Sequence, residues 1–143
     1  MPQALTRPVL IAATLYFAGV FVCGFILGTI RIFVLLPRMA EIWALLLELP
    51  MILTLSWLIA GRILKSRPEL ATLPGRLGVG GWAFLLLMIA EYLLATAAMG
   101  LSGTAVFARW TTLKGALGLA GQIVFALLPA LRLLTEPRPP GQP

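Results

Sequence analysis

Four apolar stretches, each close to the length that crosses a bilayer, dominate this chain and leave little room for another architecture. They run over about 9–30, 42–60, 77–99 and 115–134. A helix rises about 1.5 Å per residue, so about 20 residues span the ~30 Å of hydrocarbon in a membrane. Inside lipid every backbone polar group needs a partner within the protein, which selects helices over irregular chain. The connecting segments are too short for a soluble domain. The expectation is an all-α fold: one transmembrane domain over 1–134, built as a four-helix transmembrane bundle. A tail over 135–143, with no aliphatic or aromatic residue, is expected to be disordered. The first stretch is longer than the apolar core of a signal peptide and lacks a clear cleavage site, so it is expected to stay as a helix.

Composition agrees with a lipid environment. The chain is 60% hydrophobic and 11% charged, where a soluble domain carries about 25% charge. Its absences narrow the chemistry. There is no His, Asp or Asn, and Cys23 is the single cysteine. Histidine-ligated haem or zinc, histidine general bases, aspartyl nucleophiles and an internal disulfide all fall away. No cofactor and no metal site are expected. Lys and Arg total 11, but they flank the apolar stretches instead of forming a basic, aromatic-interleaved surface. Nucleic acid is therefore not an expected partner, and the lipid bilayer is.

The same cations set an expected orientation. Arg7, Arg62, Lys65, Arg67, Arg76, Arg132 and Arg138 fall on one side of the four stretches. Arg31, Arg38, Arg109 and Lys114 fall on the other. By the positive-inside bias, both termini are expected in the cytoplasm. Trp43, Trp57, Trp82 and Trp110 lie near the ends of stretches, as interfacial anchors do.

Small residues mark where helices can pack, because they let backbones approach. Gly24 and Gly28 do so on the first stretch, Ala95 and Ala98 on the third, and Ala116, Ala120 and Gly121 on the fourth. Four such helices leave a small face over for a partner. Pro50, near the middle of the second stretch, frees the carbonyl of Leu46 and predicts a kink whose carbonyl needs another donor.

The candidate functional residues are the ionisable groups expected in the outer half: Arg31, Arg38, Glu41, Glu48 and Glu91. Arg31 follows directly on the first stretch and shares a helical face with Gly24 and Gly28. Glu41 and Glu48 share a stripe, and Glu91 shares one with Leu87, Ala95 and Ala98. A carboxylate facing lipid costs several kcal/mol, roughly 2.5–3.5 on insertion scales. Pairing Arg31 with Glu48 or with Glu91 offsets that cost. One arginine cannot satisfy two carboxylates equally. The deeper one, Glu91, is the candidate for protonation and a proton-coupled step, against a static pair that fixes helix register, which is the favoured reading.

Four segments, Gly28-Thr29-Ile30-Arg31, Leu36-Pro37-Arg38, Glu48-Leu49-Pro50 and Gly118-Leu119-Ala120-Gly121-Gln122, together resemble a group of small uncharacterised four-span integral membrane proteins of proteobacteria. The resemblance covers most of the chain and implies a four-span bundle. It brings no activity with it. The chain departs from small multidrug transporters, whose glutamate lies in the first helix. It also departs from fluoride channels and glutathione-type membrane enzymes, whose Asn or His signatures it lacks.

The favoured expectation is a bacterial inner-membrane protein acting through helix–helix contact, as an accessory subunit of a larger membrane complex or as a homo-oligomer. The alternative is a small proton-coupled transporter or channel using Glu48 and Glu91. An enzyme ranks last, since glutamate acid–base chemistry would have to work without His, Asp or metal ligands.

Overall fold

The structure is a computed structural model, and it describes residues 3–137. Four long helices form the body: α1 (Gln3–Ile30), α2 (Glu41–Lys65), α3 (Leu73–Leu93) and, after the short α4 (Gly103–Ala108), α5 (Leu113–Leu131). With the helical turns that extend three of them, all four are long and apolar enough to cross a membrane. They run alternately up and down, so residues 3 and 137 belong to the same end, called here the termini end. The other is the distal end. α1 and α5 each pack on both α2 and α3, so α1 and α5 face each other across the middle. Large apolar side chains cover the outside, among them Phe25, Phe33, Leu58 and Leu93, each more than half exposed. A surface of this kind suits lipid and would be untenable in water over so wide an area.

The ends of these helices follow from local chemistry. Thr72, Ser102 and Thr112 are N-caps in extended backbone, and each side-chain oxygen accepts from the N–H three residues on. That satisfies one of the orphan donors of a first turn. Pro74 then sits in the first turn of α3, where a missing N–H costs nothing. This corrects the expected start of the third span at 77: the helix begins at Leu73. The third helix closes through Gly100, at φ +68, which lets the Leu101 N–H reach back to the Ala95 carbonyl at 3.0 Å.

One further expectation is corrected. The first helix does not stop before Arg31. It continues as a π-helical turn, Arg31–Leu35, with the Leu36 N–H on the Arg31 carbonyl at 2.9 Å. The run Ile32 to Leu35 is apolar and extends the span. α3 ends in a similar π turn, Leu94–Ala98. Ahead of the fourth span lie the apolar residues Ala105 to Phe107. Those residues form α4, which buries Val106 and sets Phe107 edge-on to Trp110, with centroids 5.2 Å apart. A fresh cap at Thr112 then starts α5.

The core is concentrated toward the termini end. Val9, Ala12, Ala13, Tyr16, Ala60, Leu64, Val79, Ala83 and Phe125 are all buried there. Tyr16 and Phe125 stack across the middle at 4.5 Å. Pro129, inside α5, has no N–H for the Phe125 carbonyl, and the Tyr16 hydroxyl supplies the missing donor at 2.8 Å. The need for a substitute donor, expected at Pro50, is met here by a neighbouring helix. At the α3–α5 crossing, Gly80 lies so close to the Ala126 carbonyl that a Cβ would collide with backbone.

The 135–143 tail is also corrected in part. Thr135 and Glu136 continue the end of α5, with both N–H groups on the Arg132 carbonyl. Glu136 is then held by Arg76, a buried cation. The rest of that tail, residues 138–143 including Arg138, lies outside the described residues.

Candidate functional site

The distal half of the bundle carries a layer of polar side chains between the helices. Arg31, in the π turn after α1, reaches Glu48 of α2, Nη1 to Oε2, at 3.0 Å. Glu48 is the more buried partner, 14% exposed against 30% for Arg31. The Glu48 Oε2 atom makes no aligned hydrogen bond, so the contact is an ion pair. It ties α1 to α2, as an offset charge inside a span requires.

Glu91 of α3 is not part of that pair. Its Oε1 accepts from the Gln122 Nε2 of α5 at 2.6 Å. No Lys or Arg among the described residues lies within 4.0 Å of it. The two carboxylates that could have shared one arginine are therefore separated. Arg31 serves Glu48, and a neutral amide serves Glu91. Gln122 is not among the residues the sequence singles out as functional. Its signal is its rarity, as a long polar side chain within that apolar helix.

The remaining candidates are peripheral. Glu41, at the N-terminus of α2, pairs with Lys114 at the start of α5, and both are about half exposed. A carboxylate there also suits the positive end of the helix dipole. Arg38 donates to the Val34 carbonyl of its own turn at 2.6 Å and joins no acid among the described residues.

The packing residues divide. Gly24 packs near Ile52, Gly121 lies against Leu49, and Ala95 is buried. Gly28 is half-buried with open space where a Cβ would go. Ala98, Ala116 and Ala120 are exposed. Surface grooves at Leu10–Leu15 and Pro50–Leu55 are open and apolar.

A second polar cluster, at the termini end, went unnoticed in the sequence. Arg76 had counted as a loop cation, yet it lies in the first turn of α3 and is 2% exposed. It donates to the Leu70 carbonyl at 2.9 Å, to the Pro129 carbonyl at 3.3 Å and to both oxygens of Glu136, at 3.2 and 2.6 Å. Arg132 lies 4.6 Å over the Trp57 ring and donates to the Trp57 carbonyl. The sequence signal was available: Glu136 is the only acid after Glu91. This cluster closes the bundle and has the character of a structural lock.

Comparison with known proteins finds no matching family, no similar curated protein and no similar solved structure.

Proposed function

We propose that this chain is a multi-pass protein of the bacterial inner membrane that works through helix–helix contact, as an accessory subunit or a homo-oligomer. The observation that carries this reading is the outward face of α5. Ala116 and Ala120 are exposed in its distal half, where the same face nearer the termini carries Ile123, Leu127 and Leu131. Lipid tails are as apolar as leucine, so helices gain no hydrophobic advantage by meeting. They associate where small side chains let backbones approach. An alanine pair left outside a finished bundle is such a place.

The positive-inside bias supports a cytoplasmic termini end. Among the described residues Arg7, Arg62, Lys65 and Arg67 are in no ion pair there. At the distal end Arg31 and Lys114 are neutralised by Glu48 and Glu41, which leaves Arg38 and Arg109. The likeness to proteobacterial four-span proteins agrees with a bacterial source.

The test is native mass in nanodiscs, with identification of anything that co-purifies. A homo-oligomer or a stoichiometric partner is expected. It should be lost in Ala116→Leu/Ala120→Leu while the monomer stays folded. A wild-type chain that runs as a lone monomer would sink the reading.

A second reading, a proton-coupled transporter or channel using Glu48 and Glu91, is favoured by one observation: among the described residues Glu91 has no cation in salt-bridge reach. It requires proton flux in liposomes that disappears with Glu91→Gln.

A further inference from the structure

Glu91 and Gln122 meet across the α3–α5 interface, and their hydrogen bonds are only half made. Gln122 donates from Nε2 to Glu91 Oε1. The other end of the amide, Gln122 Oε1, is buried and meets no donor among the described residues. A buried acceptor without a partner costs free energy that folding must offset elsewhere. An ionised glutamate cannot remedy this, because both of its oxygens only accept. A neutral carboxyl can. Its O–H is a donor on the same planar group that already accepts from Nε2. Set edge to edge, acid and amide close a ring of two hydrogen bonds, and no polar atom of the amide's C=O or the acid's O–H is left over.

We propose that Glu91 and Gln122 together form a proton-binding site, in which the proton taken up on Glu91 is held by Gln122 Oε1. The step is a simple protonation: a proton from water forms one O–H bond on Glu91, and no other bond in the protein breaks. Glu91 is half-buried, in the distal half of the third membrane-length helix.

The surroundings leave the role to this pair. From α5, the other charged group at this end, Lys114, is engaged by Glu41. From α1, Arg31 is engaged by Glu48, Tyr16 is bonded in the core, Cys23 is half-buried and Arg7 lies at the opposite end. From the turn that joins α4 to α5, Arg109 acts on Glu91 only from beyond salt-bridge distance. The inference is independent of both functional readings, since a proton-binding carboxyl pair serves a helix contact as well as a transport step.

Infrared difference spectroscopy on the full chain in nanodiscs, titrated from mildly acidic to alkaline pH, reads a protonated carboxyl directly through its C=O stretch. The expected result is a hydrogen-bonded carboxyl band that shifts in D2O, titrates away with rising pH and is lost in Glu91→Gln. In Gln122→Met the same band should move to the higher frequency of a carboxyl without that amide. Glu91→Gln rebuilds the pair as two amides with a donor and an acceptor on each side. Should it nevertheless fail to fold, wild type against Gln122→Met decides alone. A wild-type chain with no such band at any pH, or a band indifferent to Gln122→Met, overturns the proposal.

Discussion

Replacing Glu136 by Gln changes one atom of a side chain beyond the last membrane-length helix, yet the structure predicts a cost well above that of a surface substitution. Arg76 is 2% exposed and divides its donors among two backbone carbonyls and both oxygens of Glu136. It also sits in the first turn of α3, where a lone cation opposes the helix dipole and a carboxylate relieves it. Glu136→Gln keeps the shape, removes the charge and turns one acceptor into a donor aimed at the guanidinium. A hydrogen bond to a charged group is worth about 1.5–3 kcal/mol. Glu136 is 30% exposed, so solvent screens part of this, and a loss of about 1–3 kcal/mol is expected. Arg76→Met strips the donors from Leu70 and Pro129 as well, and removing one partner of a buried pair costs about 3–5 kcal/mol. In the double variant both charges are gone, so the cycle should show a coupling of roughly 1–3 kcal/mol. Reversible unfolding in mixed micelles gives the free energies. Hydrogen exchange should show opening confined first to the last turn of α5 and the segment after it. A Glu136→Gln cost below about 0.5 kcal/mol, the level of an exposed ion pair, would refute the lock. So would strictly additive single effects.

Three further outcomes test the packing. Tyr16→Phe keeps the ring stack but leaves the Phe125 carbonyl, already without its helical partner because of Pro129, with no donor. The expected loss in the same unfolding assay is about 1–2 kcal/mol, and a neutral result would contradict the pairing. Gly80→Ala must push α3 from α5 because its Cβ meets the Ala126 backbone, and should cost about 1–3 kcal/mol. Gly81→Ala, one residue on with nothing near its Cβ, should be neutral or stabilising by up to about 1 kcal/mol; equal effects at both positions would disprove the close crossing. Lys114→Ala breaks an exposed pair with Glu41 and should change stability by less than about 1 kcal/mol.

The existence of the four helices was legible because lipid imposes one simple demand, a long apolar run with internally bonded backbone. Their ends were less legible, because hydropathy ignores capping. Thr72, Ser102 and Thr112 are ordinary polar residues on a hydropathy scale, yet each starts a helix. Pro74 likewise reads as a turn former until a cap precedes it, when it becomes a first-turn residue. Arg31 seemed to end a span because a charge usually does. The apolar residues after it and an acid within reach on α2 let the helix run on.

The polar contacts were legible only as sets, because sequence spacing gives a face and a depth but no neighbour. Arg31 could have served Glu48 or Glu91 on those grounds. The choice follows from which helices are adjacent: the turn after α1 packs on α2, whereas Glu91 of α3 looks toward α5. Ring order around a four-helix bundle is a property of all four packing faces at once, and it also decided that Arg76, an apparent loop cation, would be enclosed by the end of α5. The same order explains why the small residues split as they do. Gly121 and Ala95 point into interfaces that the ring creates, while Ala116 and Ala120 point out of one it does not. On the proposed helix–helix reading, a partner helix seated on that face would cover the distal half of α5, the helix that carries Gln122.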